Sequence, residues 1–255
     1  MAKKGNPTKQ KRLAVAPIRH LQRKRHVWAI RQNSGGYTRE TSVPLGFVVR
    51  DLLKIARTLR EARQIISAGN IHVDTIPRKE YRYPVGLFDI ISIPTVKKQY
   101  TLLLDGKGRL MTRETPADRA GQKPVKIVRK TRVKGNKILV QTQDGYVYSP
   151  NNDVLMKVDD SVIVQMKDGH VMGEHLPLQK GSRVFIIGGT HVGEVAKVEE
   201  IVPGTMKRKK LVNLAEGKEK FQTTIRNIMV IDETTAGWIQ ETNPLIPISS
   251  EEEAP

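Results

Sequence analysis

The chain of 255 residues has no cysteine, which excludes disulfides and thiolate metal sites and leaves its redox compartment unread. Aromatic residues make up only 5% and hydrophobic residues 38%, so several small modules with thin cores are expected, not one large core. No apolar run reaches the 18 residues or more that a transmembrane helix needs. The basic N-terminus has no apolar stretch behind it, so no secretory signal is expected, and a soluble cytoplasmic protein is the default. Catalytic signatures are missing too. None of the six histidines forms His-Glu-x-x-His, and there is no Walker A or Gly-x-Ser-x-Gly pattern. His170, Glu174 and His175 lie close together but suggest no third ligand, so no metal and no cofactor is expected.

Acidic residues are scarce: 26 against 44 lysines and arginines, a formal net charge of +18. Such an excess calls for a polyanion, nucleic acid first and an anionic membrane second. The excess is uneven. Residues 1–43 carry 11 basic side chains and one acidic one, whereas 232–255 carry six acidic and no basic ones. The first 42 residues show no sustained period and are broken by Pro7, Pro17 and Gly35-Gly36, so they read as an arm that orders on a polyanion. Arg23, Lys24 and Arg25 are its densest cluster, and a nuclear import signal is an alternative reading of that charge. Trp28 beside Val27 and Ile30 is expected to dock on the next module, with base stacking as the other possibility.

The most regular stretch runs from Val43 to Ile93. Leu45, Val48, Val49, Leu52 and Ala56 follow helical spacing, with Pro44 in the first turn. The same spacing places Arg50, Lys54 and Arg57 on one solvent-facing side. Thr58 and Glu61 form a capping-box pair opening a second helix that buries Ala62, Ile65 and Ile66 and shows Arg60, Arg63 and Gln64. Gly69-Asn70 stops it, Ile71-His72-Val73 reads as a strand, and Asp74-Thr75 turns that strand. Arginine forks on such a face suit phosphate oxygens, although exposed basic side chains also serve merely to keep a helix soluble.

Arg60 to Asp74, preceded by Val49 to Asp51, resembles the small helix–helix–strand RNA-binding domain first described in bacterial ribosomal protein four of the small subunit. The resemblance implies RNA binding without specifying the task. Tyr81 to Ile93 completes that module and fits the family's closing pattern, with Asp89 expected to be a turn residue.

From Lys97 to Leu178 the segments are short and β-branched. Asp105-Gly106, Gly135-Asn136, Asp144-Gly145 and Asp168-Gly169 separate them, as in a small barrel or sandwich. Lys123 to Lys137 forms a basic stripe, and alternation would put Lys126, Lys130, Arg132 and Lys134 on one strand face. A solvated strand face is the plainer alternative. Gly181 to Val202 resembles the KOW motif, a strand–loop–strand of ribosomal proteins and transcription elongation factors. Val184, Ile186, Val195, Val198 and Ile201 would be its sheet positions, with Gly188-Gly189 and Gly193 shaping the loop. Lys207, Arg208, Lys209 and Lys210 follow as a basic loop. Gly108-Arg109-Leu110 begins the Arg-Leu-Asp motif of pseudouridine synthases, but Met111 stands where the catalytic carboxylate would be, so no enzyme is expected.

The order of these parts resembles the small-subunit ribosomal protein four family of archaea and eukaryotes, through Pro84 to Ile93, Leu104 to Leu110 and Phe185 to Val195. The compact length favours an archaeal source. The expected fold is α+β and multi-modular: the helix–helix–strand domain, a β-barrel-like domain and a KOW-type SH3-like barrel. The expected divisions are a basic arm (1–42), the helical domain (43–95), a central β domain (96–178), the KOW domain (179–231) and a frayed acidic tail (232–255). The resemblance implies a structural constituent of the small ribosomal subunit. Its partners would be small-subunit rRNA and neighbouring ribosomal proteins, with no membrane and no small-molecule substrate. The RNA-binding residues are expected to be Arg50, Lys54, Arg57, Arg60 and Arg63, then Arg23 to Arg25, with the Lys126–Lys134 face and the 207–210 loop as further contacts. A regulatory RNA-binding factor outside the ribosome is the alternative.

Overall fold

The computed structural model describes residues 7–21, 24, 26–116, 121–135, 137–150, 156–166, 170–205, 208–217 and 219–242. Short strands dominate it, with few helices. In chain order, β1 (Lys9–Lys11) and β2 (Trp28–Ile30) form a two-stranded ribbon. β3 (Val43–Pro44) leads into one helical run, α1 (Leu45–Phe47), which widens into a π-helix (Val48–Leu52). α2 (Leu59–Ser67) follows. Next come β4 (His72–Val73), β5 (Ile76–Pro77), β6 (Pro84–Val85), β7 (Ile90–Ile93), β8 (Lys98–Leu104) and β9 (Leu110–Glu114). Among them β5, β4, β7, β8 and β9 lie side by side as an antiparallel sheet, while β6 pairs with β3.

The second sheet comprises β10 (Gln122–Arg132), β11 (Ile138–Thr142), β12 (Val147–Tyr148), β13 (Ser161–Gln165) and β14 (Val171–Leu176), in the order β12-β11-β10-β13-β14. The third comprises β15 (Arg183–Ile186), β16 (Val195–Val202), β17 (Leu211–Glu216), β18 (Glu219–Thr224) and β19 (Ile228–Val230), in the order β18-β17-β16-β15-β19. The helix α3 (Glu233–Thr242) completes the described chain.

Local chemistry explains these elements. Thr58 accepts from the Glu61 N–H while Glu61 returns the bond to the Thr58 N–H, which starts α2. Gly69, at φ +82°, ends it in the left-handed region. Asp74 and Thr75 both have positive φ, the type I′ geometry that a two-residue hairpin between β4 and β5 requires. The Asp74 carboxylate steadies this costly turn by accepting from the Ile90 N–H at 3.0 Å.

The main core joins the first and third sheets. Val48, Val49, Ile66, Ile91 and Leu102 belong to the same apolar cluster as Phe185, Met229 and Ile239. Phe88 meets Phe185 edge-on with ring centroids 5.5 Å apart. Each such buried side chain contributes about 1.5–3 kcal/mol of transfer free energy. A separate cluster fills the third sheet around Val184, Val198, Val212 and Leu214. In β15 and β16, Val184, Ile186, Val195 and Val198 are buried and Ile201 is half-buried, and Phe185 and Ala196 are buried with them.

Three expectations need correction here. The first helix stops earlier than its apolar spacing suggests, because Lys54 sits at φ +56° and Ala56 packs from beyond the helix. β8 continues the sheet of β7, so paired strands flank the border expected at 95/96. The acidic tail does not fray from residue 232. Asp232 accepts from the Thr235 N–H at 3.1 Å and opens α3, which buries Ala236 and Ile239 in the main core. Residues 243–255 lie outside the described residues.

The arm is the third. Its residues 7–21 and 26–42 are anchored on the fold by buried polar groups and by Ile18 and Leu21, which pack against the main core. Arg19 donates to the Ile30 carbonyl at 2.9 Å and to the Gln32 side chain. Arg82 donates to the carbonyls of Arg31 at 2.9 Å and Pro7 at 3.0 Å. Further along, Gly36 crosses the β11–β12 turn so closely that a Cβ there would lie 1.8 Å from the Asp144 carbonyl oxygen.

Candidate nucleic-acid interface

The helical run and the arm converge on one groove. Arg50 lies on the π-helical stretch and is anchored by Asp51, with Nε and Nη2 donating to one carboxylate oxygen at 3.0 and 2.7 Å. Lys54 projects where the run ends, and Arg57 sits just before α2. The Arg57 backbone N–H donates to Glu61 at 2.8 Å, so the capping box also fixes this arginine's position. On α2, Arg63 donates to the Tyr81 hydroxyl at 2.8 Å and lays its guanidinium 4.1 Å from that ring's centre. Lys9, Arg12, His20, His26 and Trp28 of the arm form the opposite wall.

The groove has a volume of about 1090 Å³ and is lined by six lysines and arginines, two histidines and one carboxylate, Asp51. A concave surface with one sign of charge focuses its field on an anion, and exposed guanidinium forks match phosphate oxygens. The arrangement is suited to binding an anion. Among the described residues, no cluster of three or more histidines and carboxylates could hold a metal ion.

The expected RNA-binding residues divide into groups. Arg50, Lys54, Arg57 and Arg63 share the groove. Arg60 is exposed on α2 but is not on the groove wall. Lys24 is exposed, whereas Arg23, Arg25 and Lys207 lie outside the described residues. Arg208, Lys209 and Lys210 are exposed in the β16–β17 loop, and Arg132 and Lys134 are exposed at the far end of β10. Lys130 is half-buried and donates to the Met156 carbonyl at 3.1 Å.

Lys126 is a correction. Its ammonium lies inside the fold, donating to the carbonyls of Ile225 at 2.6 Å and Ile228 at 2.9 Å and facing Asp159 at 3.3 Å. Burial lowers its pKa, with Asp159 opposing the shift. The common strand face fails because a register shift between Ile127 and Arg129 interrupts the alternation. Trp28 is also a correction. It is 52% exposed, at the ribbon end opposite Lys11, whose ammonium lies 4.4 Å from the ring centre. The groove residues absent from the sequence-based selection are Lys9, Arg12, His20, His26 and Tyr81. No local pattern marks them, because the packing of the arm on the helices brings them together.

A second polar cluster, also unforeseen, joins arm, first sheet and second sheet. Lys123 is 1% exposed and reaches Asp74 at 2.8 Å, Asp89 at 2.5 Å and Asp144 at 3.4 Å. Tyr37 donates to Asp89 at 2.5 Å, and Asp89 also accepts from the Gly86 N–H at 2.8 Å. Asp89 is therefore more than a turn residue. Burial alone would lower the pKa of Lys123, but Asp74 and Asp89 carry it well above the ordinary lysine value.

Comparison with known proteins places this architecture. Residues 49–91 match the S4 domain model and residues 96–171 match the model described as ribosomal family S4e. These matches meet near the point where β7 and β8 pair. Small ribosomal subunit protein eS4 of Archaeoglobus fulgidus is 38% identical over 222 residues, covering 87% of this chain and 92% of that protein. Its namesake in Methanococcus vannielii is 37% identical over 238 residues, covering 91% and 96%. The crystal structure of 30S ribosomal protein S4e from Thermoplasma acidophilum aligns with a TM-score of 0.66 at 27% identity, covering 76% of this chain and 97% of that one. With relatives this similar over nearly their whole length, the chain belongs to the eS4 family of ribosomal proteins.

Proposed function

We propose that this protein is a structural constituent of the archaeal small ribosomal subunit, working in the cytoplasm, where it binds small-subunit rRNA and braces its fold. The observation that carries this reading is the convergence of arm and helical face on one cationic groove in a member of this family. Its role is structural, not catalytic. Binding proceeds by phosphate neutralisation at separated patches on one rigid frame. The groove supplies the first patch, and the exposed ends of β10 and of the β16–β17 loop supply others. Each patch is modest alone, but tethering raises the effective concentration at the next. The helical domain, the central β domain and the KOW-type, SH3-like C-terminal domain each present such a patch, and neighbouring ribosomal proteins are further partners. Recognition rests on RNA shape and backbone more than on base edges.

Sedimentation of a native extract through a sucrose gradient tests this reading. The protein is expected to travel stoichiometrically with the small subunit at low salt and to remain with it at about 0.5 M salt, where exposed charges are largely screened. Migration at the top of the gradient under both conditions would refute it.

A further inference from the structure

Trp28 is out of place by the rules that govern the rest of the core. Tryptophan buries most of its large surface when it can, and its exposure is unusual on a wall lined with cations. Here half of the indole is open to solvent, and it lines the groove with Lys9 and Arg12 beside it. Lys11 sits over the ring at 4.4 Å, which fixes the indole without covering it. Tyr81 repeats the arrangement on the facing wall, with Arg63 at 4.1 Å from its ring centre. Two cation-backed aromatic rings therefore share one groove with arginine and lysine heads.

We propose that the groove holds an unpaired stretch of RNA with one of its bases stacked on Trp28. This rests on the RNA-binding role proposed above and narrows it. A base-paired helix hides the faces of its bases and offers protein mainly phosphates and 2′-hydroxyls, for which an exposed indole has no use. An unpaired strand offers every base as a flat surface, and aromatic side chains beside cations are the usual platform for it. The groove's size agrees. At about 1090 Å³ it has room for a chain segment. Arg50, Lys54 and Arg57 would hold the phosphates of that segment, and Lys11 would stay on the far face of the indole.

The test uses the full chain carrying Trp238→Phe, so that Trp28 is the sole tryptophan and its emission reports on the groove. The probes are a short single-stranded RNA of mixed sequence and the same strand annealed to its complement. The expected result is quenching of Trp28 emission by the single strand and not by the duplex. Trp28→Ala, made in the natural chain, is expected to lower the preference for single strand over duplex about tenfold, as loss of one base stack implies, with Trp28→Phe retaining most of it. Equal preference in Trp28→Ala together with unquenched emission on single-strand binding would overturn the stacking proposal while leaving RNA binding in place. Binding of neither RNA by the unsubstituted chain would overturn the RNA-binding reading itself.

Discussion

Lys123 shows how much one side chain can decide. Three carboxylates from three parts of the chain face a single ammonium away from water. Removing one partner of a buried ion group leaves uncompensated charge and costs about 3–5 kcal/mol. Lys123→Met should therefore lower the unfolding free energy by that order, measured by urea titration. The cluster also predicts a pH effect. Burial pushes Asp89 up to about 6, with Lys123 opposing and Asp74 reinforcing the shift, against an ordinary value of 3.8. Between those values the folded state binds more protons than the unfolded chain, so the Asp89 share of stability is full below about 4 and falls as pH rises through about 6. Comparing unfolding free energies at pH 4, 5 and 6 should show a downward slope that is weakened in Asp89→Asn.

At the scale of elements, the capping box on α2 links stability to binding. Thr58→Ala should cost about 1 kcal/mol of stability. It should also loosen the geometry that holds the Arg57 backbone against Glu61. Among the arginines, Arg57→Glu with Arg63→Glu should weaken RNA binding more than Arg60→Glu does, because Arg60 alone of the three is off the groove wall. Filter-binding titrations of the variants would decide it. Much at this scale could be read from sequence because its causes are local. The Thr58–Glu61 pair, Gly69 and the Asp74-Thr75 turn each carry their chemistry within a few residues. Strand alternation places Lys126 outside, whereas carbonyls and a carboxylate from distant parts of the chain receive it, and nothing local marks the burial of Lys123 within the basic stripe. Nothing near Arg19 or Arg82 reveals that their partners are the carbonyls of Ile30, Arg31 and Pro7, so the docked arm and its groove wall could not be foreseen.

For the whole molecule, several patches on one frame imply a steep salt dependence. Each neutralised phosphate contributes about −0.7 to −0.9 to the slope of log K against log salt. Lys54→Ala and Arg57→Ala should each reduce that slope by about one contact, measured by titrating RNA at several salt concentrations. The frame itself rests on close backbone approach. Gly36→Ala would force the arm off the β11–β12 turn, and limited proteolysis should then cut between residues 31 and 42 faster than in the parent chain.

That crossing also sets a timetable. The arm is made before the strands that it crosses, so Tyr37 waits for Asp89 and Lys123, and Gly36 waits for Asp144. Closing such long loops comes late, since their entropy is lost before their contacts form. Until the chain through Asp144 has been made, the crossing at Gly36 cannot form, although Arg82 can already hold the carbonyls of Arg31 and Pro7. The segment around Gly36 and Tyr37 is thus made well before its last partners are, and throughout that interval it stays open to whatever polyanion is nearby.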